Sequence, residues 1–290
     1  MTNRFVALAG LAGANNHGAG FLAALRQHTE ETGAALPDMV TATSGQIYVL
    51  SEFLKGTDLS TLLDGSPTLV PNFSNYLMKV WTGNITAEEL IAPTGLLTLA
   101  RPDEFYEEVA ENLNNAPFIV AFNGFSLNTG SSVIYTNAPG ALGSATLPID
   151  ADAVKNALYL SLYGLDNSPT GIVDGAYHRA ALVADALGFL KVFFVRPIAE
   201  NTGAEVAPKT IMEQSAWNTK RWFQASYRAE AMPFKVLHSL ERGGAIVVRA
   251  PLTEEYIEII PDSELVFFKE SKEMFETSKN TSLEVLRKMW

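Results

Sequence analysis

The chain of 290 residues carries 21 Lys and Arg against 32 Asp and Glu, a formal net charge of -11, and has no cysteine. That balance argues against nucleic acid as a partner and against electrostatic docking on anionic lipid, because both need clustered cations to release counterions or neutralise head groups. Lack of cysteine excludes a disulfide framework, thiolate catalysis and cysteine-held metal, while 47% hydrophobic and 18% charged residues suit one domain with a large buried core.

In chain order, Arg4 followed by an uncharged run and by Ala12-Gly13-Ala14 imitates a secretory signal. Phe5 to Ala9 makes better sense as a buried first strand closed by a glycine turn, so a cytoplasmic location is the default expectation. Met39 to Leu50, MVTATSGQIYVL, reads as an apolar strand (Met39 to Thr43), a sharp turn at Ser44-Gly45 and an apolar helix from Gln46 to about Leu54. A serine at such a junction is exposed by the turn. The N–H groups of Gly45 and Gln46 open the helix without intrahelical partners and face any oxygen held above the serine. This is the content of a nucleophile elbow, although the usual G-x-S-x-G here reads Ala42-Thr43-Ser44-Gly45-Gln46. The plainer alternative for Ser44 is a helix N-cap.

From Leu59 to Pro102 turns alternate with short apolar pieces, and Ile91 to Ala100 reads either as packing between core and cap or as an apolar rim beside Ser44. A surface helix follows from Asp103 through Asn112, with Phe105, Val109 and Leu113 at helical spacing. Asn112 to Ile149 is free of charge but interrupted by Asn, Ser, Thr, Gly and Pro. That pattern fits a central sheet covered on both faces and cannot be a membrane span. Pro169 to Pro197 contains a strand ending in Asp174-Gly175-Ala176, a helix from about Arg179 to Leu187 and a strong strand from Lys191 to Arg196. Beyond it, Thr210 to Leu240 is helical by pattern with a break expected at Pro233. Ala245 to Arg249 and Tyr256 to Ile260 are candidates for a strand pair, and Ser271 to Trp290 closes the chain as an amphipathic helix. The histidines His17, His28, His178 and His238 have no metal-ligand spacing. His178, four residues past Asp174, is near enough in sequence for a Ser-His-Asp arrangement.

Four of these segments, in order, resemble the patatin-like phospholipase family. Phe5 to Leu25 looks like its opening strand, glycine-rich oxyanion loop and first helix, and Met39 to Leu54 like its elbow. Ile119 to Thr136, turning at Leu127-Asn128-Thr129-Gly130, is similar to its central hairpin. Val154 to Leu165, with Asp174-Gly175-Ala176, matches the helix and aspartate motif that follow. Ile257 to Pro261 resembles a late strand after the family's core. The family's loop normally reads Gly-Gly-Gly-x-Arg/Lys-Gly, whereas here Gly10-Leu11-Ala12-Gly13-Ala14-Asn15-Asn16-His17-Gly18 carries no cation unless His17 substitutes.

The resemblance implies an α/β fold of three layers, α/β/α, around a mostly parallel sheet. One domain would span residues 1–290, with a catalytic core over about 1–200 and a mainly helical C-terminal extension with a short strand pair over about 205–290. It further implies a lipid acyl hydrolase of the phospholipase or esterase type, using a Ser44-Asp174 dyad and backbone oxyanion donors at Gly10, Gly13 and Gly45. No cofactor or metal is implied. The expected partner is a lipid or small acyl-ester substrate, with any membrane contact peripheral and apolar. The competing expectation, from the altered elbow and loop, is a catalytically impaired protein of the same fold that binds a lipid or a partner chain.

Overall fold

The computed structural model describes residues 3–10, 15–63, 82, 101–142, 145–159, 168–198, 208–209, 211–242, 253–261 and 272–290. Its centre is an eight-stranded, mostly parallel sheet. Strand β1 (Arg4–Leu8) lies between β2 (Met39–Ala42) and β7 (Lys191–Val195), both parallel to it, with Leu8 opposite Ala42 on one side and Val195 on the other. Strand β3 (Ile119–Ser126) runs parallel to β2, and β4 (Ser131–Thr136) returns antiparallel along it as a hairpin. Strand β5 (Thr146–Pro148) closes that edge beside β4, while β8 (Glu255–Ile259) closes the other, parallel to β7.

Alternation along the central strands explains the layers. Val6, Leu8, Val40, Val120, Phe193 and Val195 point to one face, Phe5, Ala7, Met39, Ala121, Val192 and Phe194 to the other, and all are buried. A parallel strand buried on both faces has no polar side to show, hence the continuous apolar runs. The first face is covered by helices α1 (Asn16–Thr32), α2 (Gln46–Lys55), α3 (Asp103–Asn114), α4 (Ala151–Ala157) and α6 (Lys272–Met289). The second is covered by residues 180–186 and by Phe223, Tyr227 and Phe234 of the long helix α5 (Ile211–Arg242). The chain is therefore α/β, with helices on both faces of a mostly parallel sheet and a C-terminal helix. The last helix packs closely on the first: a methyl group at Gly20 would come within 2.5 Å of the Phe275 carbonyl, and Ser278 Oγ donates to the His17 carbonyl at 2.6 Å.

Several expectations are corrected. Residues 179–187 do not form an α-helix and hold only a short 3₁₀ turn, Ala184–Ala186. Helix α5 continues through Pro233 without a break, its length and buried face outweighing the one backbone bond that proline cannot make. Strand β8 joins the edge of the main sheet beside β7. Helix α4 ends at Ala157 with Leu158 as its C-cap, where a helix from Val154 to Leu165 was expected. The segments 91–100 and 245–249, for which a rim and a strand were expected, lie outside the described residues, as does 160–165. None of the described helices is long and apolar enough to cross a membrane.

Candidate active site

Parallel strands that end together at one rim leave a crevice at their carboxyl ends, where open α/β sheets place their sites. Here β2 stops at Ala42 and the chain turns through Thr43, Ser44 and Gly45 into α2, and Ser44, expected to be exposed by the turn, is buried, with 6% of its surface accessible. Ser44 has φ +60°, the left-handed region, which costs a residue with a Cβ about 1–2 kcal/mol. The turn is held against that cost from all sides. Thr43 N–H donates to the Leu8 carbonyl at 3.2 Å, Ile47 N–H to the Ser44 carbonyl at 3.0 Å and Val49 N–H to the Gly45 carbonyl at 3.2 Å. Gly10, at the end of the neighbouring strand, presses so close that a Cβ there would lie 2.9 Å from Ser44 Cβ.

The missing elbow glycine has a steric explanation. Gln46 is fully buried, and its side chain folds over Gly18 of α1, where a Cβ would sit 1.8 Å from Gln46 Oε1. The facing helix supplies the space that a second elbow glycine ordinarily leaves.

Asp174 reaches the serine from the opposite direction. Strand β6 (Ile172–Asp174) runs antiparallel to β3, with Asp174 opposite Gly124, whereas β2 runs parallel to β3 with Ala42 opposite Phe122. The two short strands thus approach head to head along one edge of β3 and stop on either side of Asn123. Across that gap Ser44 Oγ donates to Asp174 Oδ2 at 2.6 Å. The other carboxylate oxygen accepts from the Ala176 N–H at 2.8 Å. Asp174 is almost wholly buried, and burial pushes its carboxyl up to about 6 even though both hydrogen bonds favour the charge.

Asn123, which sequence reasoning did not single out, joins the two limbs. Its Oδ1 accepts from Thr43 Oγ1 at 3.0 Å and its Nδ2 donates to the Arg179 carbonyl at 3.0 Å. Its side chain also lies on Gly175, whose Cβ would come within 2.3 Å, so the residue after Asp174 has to be glycine. The signal available was a lone amide inside a buried strand. Helix α5 adds a second set of supports. Arg179 Nε donates to Glu230 at 2.6 Å and Arg179 Nη2 to Asp185 at 2.5 Å, while Glu230 Oε2 also accepts from the N–H groups of Val183 and Ala184. Burial works against the Arg179 charge, but the two carboxylates more than offset it and raise its pKa. Tyr227 Oη donates to the Gly10 carbonyl at 2.6 Å, and Ser226 Oγ accepts from the Ala180 N–H at 2.9 Å.

The oxyanion donors differ from expectation. The Gly10 N–H is committed to the Ala180 carbonyl at 2.8 Å, so Gly10 shapes the elbow and its amide does not point into the site. The Gln46 N–H closes the turn onto the Thr43 carbonyl at 3.3 Å. Gly13 lies outside the described residues. The Gly45 amide, directly after the serine, has no carbonyl acceptor among the described residues. His178 stacks on Phe125 and its Nδ1 pairs with Ser132 Oγ at 2.8 Å, so the partner of Ser44 is the carboxylate. No described group of histidines and carboxylates forms a metal cage. An open groove of about 740 Å³ lined by Asp38, Asn114, Phe118 and Asn137 lies at the opposite rim, where β2 and β3 begin.

Fold and site together define an α/β protein with a strained strand-to-helix serine hydrogen-bonded to a buried carboxylate. No protein-family model matches the chain, and no curated protein does either.

Proposed function

We propose that this protein is a serine acyl hydrolase of the patatin-like type, cleaving fatty-acyl esters through Ser44 and Asp174. The observation that carries the reading is the 2.6 Å hydrogen bond between a serine held at φ +60° and a buried carboxylate whose pKa is raised to about 6. A carboxylate is an inadequate base for an alcohol in water; desolvation strengthens it, and contact distance removes any need for a shuttle.

Asp174 accepts the proton as Ser44 Oγ bonds to the ester carbonyl carbon and the carbonyl pair moves onto oxygen. Collapse of that intermediate breaks the bond to the leaving alkoxide, which takes the proton back from Asp174. Water then attacks the acyl-serine, giving its proton to Asp174, and a second collapse releases the acid and restores the Ser44 hydroxyl. These steps need no metal and no cofactor. Tyr177, three residues after Asp174 in the chain, packs on Trp222 at 5.8 Å, and Trp222, 42% exposed, offers an apolar surface. With a net charge of -11, contact with a lipid surface would come from such apolar groups.

The test is reaction with a fluorophosphonate probe, mapping of the adduct, and turnover of short-chain nitrophenyl esters. The expected result is an adduct on Ser44 that disappears in Ser44→Ala together with turnover. A folded wild-type protein that neither labels nor turns over contradicts the hydrolase reading and favours a binder of lipid or of a partner chain.

A further inference from the structure

Asn15 stands at the N-terminal end of α1 and yet does not cap it: no side-chain hydrogen bond reaches the helix amides. Its carboxamide lies instead on Gly45, where a Cβ would meet Asn15 Nδ2 at 2.2 Å, with Cγ at 2.7 Å and Oδ1 at 2.8 Å. Gly45 has φ -55° and ψ -16°, a conformation that any residue adopts, so its backbone does not require glycine. What requires it is the amide lying on its Cα.

The orientation of that amide is fixed by its neighbours. Gln46 Nε2 donates to the Asn15 backbone carbonyl at 3.1 Å, which identifies that end of the Gln46 side chain as the donor. The same nitrogen faces Asn15 Oδ1 at 3.4 Å, so the oxygen of the Asn15 carboxamide is the end held back. The nitrogen is the end beside Gly45, and it donates to nothing among the described residues. Two N–H donors without acceptors among the described residues therefore meet at Gly45, the residue after Ser44: the Gly45 amide and the Asn15 carboxamide.

We propose that Asn15 is a catalytic residue, its Nδ2 donating with the Gly45 N–H to the oxyanion that forms when Ser44 attacks, and that Gln46 is the positioning residue that aims it. The role rests on the acyl-hydrolase reading above. It gives a use to two departures from the usual motifs, an elbow glycine replaced by Gln46 and a glycine loop whose described amide, Gly10, is spoken for. A fixed side-chain amide aimed at developing charge stabilises the transition state more than the bound ester, so its effect falls on kcat.

The experiment is ester kinetics and fluorophosphonate labelling of the full chain for wild type, Asn15→Ala, Asn15→Asp, Gly45→Ala and Asn15→Ala/Gly45→Ala. Asn15→Ala is expected to lower kcat on the order of 10²- to 10³-fold, with KM little changed and the rise of rate near pH 6 kept in place, since the Ser44–Asp174 pair is intact. Asn15→Asp keeps the shape and replaces the donor by an acceptor, so it loses at least as much; it serves also if the alanine variant does not fold. Gly45→Ala, by displacing the amide, reproduces the loss, and adds little once Asn15 is already alanine. Asn15→Ala or Asn15→Asp turning over within threefold of wild type overturns the proposal and leaves the hydrolase reading standing. So does an equal loss accompanied by displacement of the rise near pH 6 in Asn15→Ala. Absence of any Ser44 adduct in the wild type overturns both.

Discussion

The two limbs of the site are built in opposite ways. The serine limb is local: strand, turn and helix follow within residues 39–55, and past Thr43 the backbone hydrogen bonds that close the turn, from Gln46, Ile47 and Val49, go to Thr43, Ser44 and Gly45. The aspartate limb is short and borrowed: β6 has three residues, and the loop after it is held by Glu230, Ser226 and Asn123, each 46 or more positions away from its partner in that loop. A strained nucleophile needs a rigid local turn, whereas a buried base needs walls, and walls come from elsewhere in the chain.

The largest effects come from removing either limb's end group. Ser44→Ala and Asp174→Asn should each lower ester turnover on the order of 10⁴-fold, and the double variant should lose little more, because the two act as one unit. Initial rates on a nitrophenyl ester with all three variants decide this; additive losses would separate the limbs.

Breaking the support of one limb alone should distinguish them in stability. Glu230→Ala leaves Arg179 a buried charge short of a partner and frees the Val183 and Ala184 amides, for a cost of about 3–5 kcal/mol. Hydrogen exchange should quicken at Val183 and Ala184 and stay unchanged at Ile47 and Val49. Equal quickening at all four would mean that the limbs are not independent.

Asp174→Asn sharpens the same contrast through pH. The folded carboxyl holds its proton up to about 6 instead of the ordinary 3.8, so its stabilisation is full below 3.8 and is lost as pH rises through about 6. A difference of about two pKa units corresponds to about 3 kcal/mol, which the asparagine variant should recover at pH 8 and not at pH 3.5. Thermal melts of both proteins across that range read it directly. Ser44→Gly is the smallest change: measured against Ser44→Ala, which loses the same hydrogen bond to Asp174, relief of the positive φ should stabilise the fold by about 1 kcal/mol, and neither variant should turn over. A loss of stability there would mean that the turn is not strained.

The same contrast explains what could be read from the amino acids. The elbow was legible because its signals are local: apolar Met39 to Thr43, Ser-Gly, then an apolar helix. The strands were legible too, because burial on both faces makes them continuously apolar. Residues 179–187 read as helical, but there Ser226 Oγ accepts from the Ala180 N–H and Glu230 from those of Val183 and Ala184, so side chains of α5 take amides that a helix would pair with its own carbonyls. Nothing local in HRAALVADAL announces that competition. Gly10 illustrates the limit at the site itself: its glycine was visible, but not that its N–H goes to Ala180 and its carbonyl to Tyr227, 217 positions away.

The central claim, a serine made nucleophilic by a buried carboxylate in direct contact, is tested most directly by the pH dependence of Ser44 acylation. The second-order rate of fluorophosphonate labelling, measured from pH 4 to 9, should rise along a single titration centred near 6 and level off above it, as Asp174 becomes ionised. Labelling should be lost in Ser44→Ala and fall to a slow background in Asp174→Asn. A wild-type rate that is flat across this range, or an adduct on any residue but Ser44, would contradict the account.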